Sequence, residues 1–316
     1  MKVAVLKGGD SLERLVSLRS GARVEDALDR LGHEVVPIDV GADLVDRLTV
    51  ERPDVAFVAL HGRGGEDGTV QELLELLGIP YTASGPSACI RCMDKVVAKH
   101  ALRDAGVPTP DFYAFSQAAF EELGAARALP AIEERLDFPI VVKPAGQGSA
   151  LGIKFARTAA DVPGAIVAAF SYDTKVVLER YVAGRDLAVS VLEGPDGPEA
   201  LPVVEAVPRE EAFYDFEARY EFGRTEFICP AQLPDEVAAQ ARELALETYR
   251  VLGCYGFARV DLMLDDATGE LTVLEANVIP GLTDTSLLPL AAEAAGIGFE
   301  ALIARVLELA VARAPA

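Results

Sequence analysis

The 316-residue sequence is short of basic residues, cysteines and histidines, and each shortage argues against a class of protein. Its 29 lysines and arginines face 50 acids, and the resulting net charge of -21 repels nucleic acid and anionic lipid. Four cysteines in a chain of this length do not form a disulfide framework. The histidines at positions 33, 61 and 100 lack the spacing of a helical zinc motif, which disfavours a zinc enzyme.

Long apolar segments are missing as well. No run approaches the roughly 20 residues that span a bilayer, and MKVAVLKGGD at the start is typical of a strand and turn rather than a secretory signal. We therefore expect a cytoplasmic protein that binds neither a membrane nor nucleic acid. Its hydrophobic content of 51% is enough for two or three domains, each with its own core.

The cysteines include one C-x-x-C pair, Cys89 and Cys92. A zinc site would need two more ligands, and Cys229 and Cys254 lie far away in the sequence. Structural thiols are the favoured interpretation, while redox and metal roles remain open.

Valine-rich runs alternate with helix-period segments at the N-terminus. The runs at 2–6, 34–40, 55–60 and 79–83 are predicted strands separated by amphipathic helices. This alternation favours a parallel sheet covered on both faces, with ligands beyond the carboxyl ends of its strands. The glycine-rich segments GGDSLER and HGRGGEDG follow the first and third strands, at that edge.

A second glycine-rich loop, KPAGQGSALGIK, runs from residue 143 to residue 154 between two predicted strands. Unhindered backbone N–H groups in such a loop can close on phosphate oxygens. Its spacing matches neither the P-loop nor the dinucleotide-binding fingerprint. The loop therefore predicts a phosphate site of another kind.

An acidic hairpin is predicted over residues 257–281, because DDATGE between two apolar runs has turn chemistry. With a period of two, Arg259 and Asp261 share one face, and Asp261 comes close to opposite Glu275, which shares a face with Asn277. Two carboxylates and an amide oxygen suit Mg²⁺; the alternative is a set of solvent-facing polar positions.

The glycine loop and the acidic hairpin can belong to one site only if a cation lies between them. A carboxylate at about 4 Å from a triphosphate would be repelled by roughly 4 kcal/mol at an effective dielectric of 20. A bridging cation removes this repulsion, so the two motifs together indicate phosphoryl transfer from ATP with Mg²⁺.

Ordered motifs through nearly the whole chain carry a family resemblance. They include GGDSLERLVSLRSG, ALHGRGGEDGTVQELLELLGIPYT, MDK, AGVPTP, FPIVVKP, FYDFEARY, LGCYGFARVDLMLD and EANVIPGLTDTSLLP. In order and spacing the sequence resembles the ATP-grasp superfamily, and more closely the D-alanine–D-alanine ligases. The resemblance implies an α/β fold, α+β in the ATP-grasp part. A Rossmann-like domain (1–93) would precede a central subdomain with a glycine-rich lid (94–178) and a C-terminal subdomain with the metal and substrate site (179–316).

The resemblance also implies site residues. For ATP they are Lys95, Lys143, Ser149, Glu179, Arg180, Tyr181, Val182 and Asp186. For two Mg²⁺ ions, with Mn²⁺ as an alternative metal, they are Asp261, Glu275 and Asn277. For the two D-alanines they are Glu13, His61, Tyr220, Arg259, Gly281, Ser286 and Leu287, of which Glu13, Tyr220, Arg259 and Ser286, with Ser149, are implied in catalysis.

The implied reaction joins two D-alanines through an acyl phosphate, releases ADP and phosphate, and serves peptidoglycan synthesis; the implied assembly is a homodimer. The sequence departs from the family pattern at Ala150, Asp186 and Arg219, where serine, glutamate and lysine are usual. These departures keep open a paralogue that joins other amino acids. Two weaker alternatives are a dehydrogenase, with Asp39 ending the second strand, and a silent ATP-binding regulator.

The Glu275→Gln substitution tests the hairpin. We expect it to abolish phosphoryl transfer while the fold stays intact, because one Mg²⁺ ligand is lost. Substrate-dependent ADP release measures the transfer, and circular dichroism checks the fold. Near-normal turnover would show that the metal binds elsewhere.

Overall fold

The computed structural model describes residues 1–208 and 224–313. Three sheets organise this part of the chain. The first is parallel, in the order β2-β1-β3, and consists of β1 (Lys2–Gly8), β2 (Glu34–Val40) and β3 (Val55–Val58). Its helices are α1 (Arg14–Arg30), α2 (Leu44–Glu51) and α3 (Thr69–Leu76). The parallel sheet predicted for the N-terminal region is confirmed.

The fourth strand predicted in this region, 79–83, is wrong. It forms only an isolated parallel bridge between Ala56 and Tyr81, although Ala56 N donates to Pro80 O and Thr82 N donates to Ala56 O. Pro80 has no N–H for a ladder, and Ala83 turns the chain away with a φ of 74°.

The second sheet is antiparallel, in the order β4-β7-β5-β6. Its strands are β4 (Phe112–Ser116), β5 (Ile140–Pro144), β6 (Lys154–Ala156) and β7 (Lys175–Arg180). The helices α4 (Pro86–Met93) and α5 (Lys95–Asp104) precede it. Within it lie α6 (Gln117–Glu122), a 3₁₀ turn (Ala125–Ala128), α7 (Leu129–Leu136) and α8 (Val162–Phe170). The predicted boundary at 178/179 falls inside β7, so we propose moving it beyond that strand; the rest of the three-part division stays a prediction.

The third sheet follows the path β11-β10-β8-β12-β13, and β9 pairs with β8. The strands are β8 (Gly184–Gly194), β9 (Gly197–Ala200), β10 (Val204–Pro208), β11 (Thr225–Ile228), β12 (Phe257–Asp265) and β13 (Leu271–Asn277). The helices are α9 (Asp235–Leu252), α10 (Leu287–Ala294) and α11 (Phe299–Ala312). The hairpin β12–β13 forms as predicted.

The hydrophobic core is not divided as the sequence suggested. Buried side chains of the first and third sheets form one continuous cluster, to which Phe57, Leu28 and Phe257 belong. The second sheet has a separate core that includes Leu136 and Ile166. The described residues therefore form two packed bodies, and residues of the second and third sheets line a cleft between them.

Among the helices of the described residues, none is by itself long and apolar enough to cross a membrane. Helices α10 and α11 are long and apolar enough only when they are taken together, and the chain bends by 106° between them.

The four cysteines are free thiols. Cys89, Cys92 and Cys254 are buried, and Cys229 is half-buried. The Sγ atoms of Cys92 and Cys254 are 3.8 Å apart, and this contact together with burial raises the pKa of Cys92 well above its usual range. Burial likewise raises the pKa of Cys89. Within the described ranges no group of three or more His, Cys, Asp or Glu side chains could hold a metal ion.

These environments predict the order in which the thiols react. In the native protein only Cys229 should react quickly with an aromatic disulfide reagent, because the other three thiols are buried away from the reagent. All four thiols should react after denaturation. Cys229→Ala is the control and should leave no fast-reacting thiol; any fast-reacting thiol in that variant would contradict the assignment.

Candidate active site

The glycine loop between β5 and β6 is held in a conformation that few residues adopt. Ser149 and Ala150 have φ values of 53° and 58°, in the left-handed region. Gly148 lies over Glu13, since a Cβ atom at Gly148 would come within 2.9 Å of Glu13 Oε2. The loop is anchored at its start by the Gly146 N–H, which donates to Asp173 Oδ2 at 2.6 Å. The loop therefore reaches across to the carboxyl end of the first sheet.

A cavity of about 610 Å³ lies beneath this loop. It is lined by residues of the glycine loop, the segment after β7, and the third sheet. The residues predicted for ATP that line it are Lys95, Lys143, Glu179, Arg180, Tyr181, Val182 and Asp186. Met263 and Leu274 contribute apolar surface from the hairpin. Such a cavity, apolar with a few polar groups, is typical of a small-molecule site.

Lys143 is fixed by a buried carboxylate at the wall of this cavity. Lys143 Nζ is 2.8 Å from Glu179 Oε1, and Lys99 Nζ is 2.7 Å from Glu179 Oε2. Burial alone would raise the pKa of Glu179, but the two lysines outweigh it and hold that pKa below its usual range. Burial lowers the pKa of Lys99 to about 8, and Glu179 opposes the shift. Glu179 therefore stays ionised between two cations.

The acidic hairpin has the predicted register. Asp261 pairs with Glu275, and Arg259 pairs with Asn277. A β-bulge follows the Asp261–Glu275 pair, so Leu274 is inserted on β13 and both it and Glu275 line the cavity. A strict period of two could not predict this bulge.

The charges on the hairpin are paired. Arg259 donates from Nε to Asp261 Oδ1 at 2.6 Å and from Nη2 to Asp261 Oδ2 at 2.9 Å. Lys95 Nζ, on α5, lies 3.1 Å from Glu275 Oε2 and donates to Gln147 O in the glycine loop at 2.8 Å. Lys95 thus connects the loop to the hairpin.

The oxygens of the hairpin fit a divalent cation. Asn277 Oδ1 is buried, and among the described residues it has no hydrogen-bond partner. A buried amide oxygen without a donor is costly unless a ligand or ion satisfies it. With the carboxylates of Asp261 and Glu275 it makes a set of hard oxygen donors, which Mg²⁺ and Mn²⁺ prefer.

Glu13 lies between β1 and α1, under the glycine loop, and is 4% exposed. Ser149 Oγ donates a hydrogen bond to its Oε1. Its Oε2 is buried and has no hydrogen-bond partner in the described part of the chain. Burial and the nearby Glu66 carboxylate raise the pKa of Glu13, and the Ser149 hydrogen bond opposes that shift. The free oxygen of a buried acid is a suitable acceptor for an ammonium group.

His61 lies beside this carboxylate on the glycine-rich segment after β3. Its Nε2 is 2.9 Å from Ser20 Oγ, and its Nδ1 is 3.0 Å from Ile279 O. Ser20 Oγ also accepts the N–H of Leu282 at 3.2 Å. His61 therefore joins the first sheet to the segment after the hairpin.

The predicted residues of the second amino-acid pocket lie in that segment. Ser286 Oγ accepts the N–H of Thr283 at 2.9 Å and is 2.8 Å from Thr283 Oγ1. Gly281 is needed there, because a Cβ atom would come within 2.6 Å of Ser286 Oγ. Leu287 is buried at the start of α10. Tyr220 and Arg219 fall outside the described residues.

Sequence reasoning missed Lys99 and Glu66. Lys99 shares the buried face of α5 with Ala98 and Leu102, so its inward position could have been found from the helical period. Glu66 accepts a hydrogen bond from the Gly62 N–H at 2.9 Å. Only the folding of the segment after β3 brings its carboxylate near Glu13.

Comparison with known proteins matches this chain to one family. The family models for the D-ala D-ala ligase C-terminus and N-terminus match residues 101–308 and 44–84. The chain belongs to the D-alanine–D-alanine ligase family. Relatives of that name include a Moorella thermoacetica protein, 45% identical over 98% of this chain and 99% of that one. A Carboxydothermus hydrogenoformans protein is 43% identical over 98% of each chain.

Solved structures of the ligase family have the same fold. The crystal structure of D-alanine–D-alanine ligase from Bacillus anthracis has a TM-score of 0.84 and 34% identity, covering 98% of this chain and 97% of that one. A structure of the Bacillus anthracis ligase complexed with ATP has a TM-score of 0.81 over the same shares. The resemblance and the fold class inferred from the sequence are confirmed.

The buried carboxylate predicts a gain in stability when Glu13 is replaced by glutamine. Because the pKa of Glu13 is raised in the folded state, ionisation favours unfolding as the pH rises above the ordinary value. At about pH 8 the Glu13→Gln variant should gain roughly 1–3 kcal/mol in free energy of unfolding. The gain should shrink as the pH falls toward about 4.3, the ordinary glutamate pKa.

Urea denaturation across this pH range measures the difference, and the same substitution at the exposed Glu34 is the control, for which we expect no gain. A Glu13→Gln variant less stable than wild type at every pH would contradict the assignment. Its ligase activity should fall, since the amide has no negative charge to pair with an ammonium group.

Proposed function

We propose that this protein is an ATP-dependent ligase that joins two D-alanine molecules into D-alanyl-D-alanine, with release of ADP and phosphate. The observation that carries the proposal is the hydrogen bond from Ser149 to Glu13. It brings the Glu13 carboxylate under the same glycine loop that covers the cavity lined by Lys143 and Lys95. One loop would therefore enclose both the nucleotide and the amino acid.

ATP is proposed to occupy the cavity with its adenine against the segment Glu179–Val182. This segment at the end of β7 lines the cavity, and Phe155 and Tyr181 pack edge to face beside it, with centroids 5.6 Å apart. Lys95 and Lys143 would bind the phosphates. Asp186 lines the cavity from β8, a position suited to the ribose.

The proposed metal ligands are Asp261, Glu275 and Asn277. Mg²⁺ held by these oxygens would neutralise phosphate charge that the carboxylates would otherwise repel. Lys95, now 3.1 Å from Glu275, would share that carboxylate with the ion.

The proposed reaction has two steps. The carboxylate of the first D-alanine, held by its ammonium group at Glu13, attacks the γ-phosphorus of ATP and forms an acyl phosphate and ADP. The amine of the second D-alanine then attacks the acyl carbon, and phosphate leaves. Arg259 would stabilise the negative charge that develops in both steps, and the glycine loop would keep water from the acyl phosphate.

The second D-alanine is proposed to bind near Gly281, Ser286 and Leu287, with Tyr220 and His61 near the first. The family relatives favour D-alanine over the alternative of a paralogue for other amino acids. The dehydrogenase alternative loses its support, because the Asp39 carboxylate is bound by Arg14 at 2.6 and 2.7 Å. We further propose that the protein acts in the cytoplasm as a homodimer and serves cell-wall peptidoglycan synthesis.

Product identification tests the proposal. Incubation with ATP, Mg²⁺ and D-alanine should yield D-alanyl-D-alanine by mass spectrometry, with one ADP for each dipeptide. A parallel screen of other D- and L-amino acids is the control for substrate. ADP release with another amino acid and none with D-alanine would contradict the D-alanine assignment while preserving the ligase mechanism.

A further inference from the structure

Lys99 is a buried lysine that the proposed mechanism does not use. It lies on α5 one turn after Lys95, and its side chain is fully buried. Its Nζ is 2.7 Å from Glu179 Oε2, 2.5 Å from Thr109 Oγ1 and 3.4 Å from Pro110 O. Lys99 Nζ donates to Thr109 Oγ1 and Pro110 O and forms an ion pair with Glu179, so the head group is held in one place.

Glu179 is the group through which Lys99 reaches the cavity. Its carboxylate has one oxygen 2.7 Å from Lys99 and the other 2.8 Å from Lys143. Glu179 and Lys143 lie on adjacent strands, and both line the cavity. The position of the Lys143 ammonium group therefore depends on how the carboxylate is oriented.

The charges of Lys99, Glu179 and Lys143 together determine how strongly the cavity wall attracts a phosphate. Two ammonium groups and one carboxylate carry a net charge of +1, whereas Lys143 and Glu179 alone would be neutral. A neutral pair at the cavity wall would attract a phosphate far less than a charged cluster does. The buried Lys99 is too enclosed to contact phosphate itself, so the charge that it contributes acts through Glu179.

We propose that Lys99 is a positioning residue that neutralises Glu179 and so leaves the charge of Lys143 available to the phosphates of the nucleotide. This role rests on the proposed function, because it assumes that ATP occupies the cavity. It explains why a lysine is buried behind a site that already presents Lys95 and Lys143. It also explains why an acid is tolerated next to a phosphate-binding lysine.

A ligand without phosphates separates this role from a merely structural one. In Lys99→Met, which keeps the length of the side chain, Glu179 becomes an unshared charge that neutralises Lys143. We expect the Kd for ATP, measured by isothermal titration calorimetry on the full chain, to rise about tenfold or more. The Kd for adenosine, which carries no phosphate, should stay within about threefold of wild type in the same variant.

Lys2→Met is the matched control, because Lys2 pairs with Glu51 at the opposite edge of the first sheet, 2.9 Å away. It should leave the Kd unchanged. Lys99→Gln, which removes the same charge but can still form hydrogen bonds, serves as the test if Lys99→Met does not fold.

The outcomes are distinguishable. Wild-type affinity for ATP in Lys99→Met, or an equal loss of affinity for ATP and for adenosine, would overturn the role of Lys99 alone. Failure of the wild-type protein to bind ATP at all would overturn the proposed function, and the role of Lys99 with it. Loss of affinity for ATP with unchanged affinity for adenosine supports the proposal.

Discussion

The balance of buried charge between the second and third sheets is the constraint on which the site depends. Lysines and carboxylates with little access to water line one cleft, and an unpaired charge there would cost several kcal/mol. The structure pairs them as Lys95 with Glu275, Arg259 with Asp261, and Glu179 with two lysines. These pairs leave the cations close to the place where a triphosphate can bind, so the same contacts that stabilise the fold prepare the site for its ligand.

The division of the core into two bodies suits such a cleft. The first and third sheets share one continuous cluster, which holds Glu13, the hairpin and the segment after it in a fixed relation. The second sheet has its own core and carries the glycine loop. The loop is anchored on one body through Gly146 and bonded to Glu13 on the other through Ser149. The left-handed φ of Ser149 is a sparsely populated conformation of a kind that clusters at ligand-binding sites.

Several buried side-chain atoms of the described residues have no hydrogen-bond partner, and two of these atoms are oxygens that face the proposed ligand sites. Glu13 Oε2 lies in the proposed amino-acid pocket, and Asn277 Oδ1 lies on the acidic hairpin. Folding leaves each of them unsatisfied at a cost to stability, and a bound ammonium group or cation would recover it. In both places stability is exchanged for affinity, which is common at functional sites.

Local patterns in the sequence were sufficient for several parts of this protein. The period of two and the turn DDATGE determined that Asp261 faces Glu275, because hairpin register depends on neighbouring residues. The alternation of strands and helices predicted the parallel sheet, because a helix between two strands returns the chain so that both strands run in the same direction. The motifs determined the family, since their order survives without any knowledge of packing.

Other parts were decided only by the tertiary structure. Contacts between segments far apart in the chain decide three features: the bulge at Leu274, the pairing of β7 with β5, and the core shared by the first and third sheets. Glu179 lies 80 residues from Lys99, which no local period connects. Ser149 and Glu13 are separated by 136 residues, and their hydrogen bond exists only because two bodies meet. The sequence alone determined which chemical groups are present. Long-range packing decided which of these groups form ion pairs and hydrogen bonds with one another.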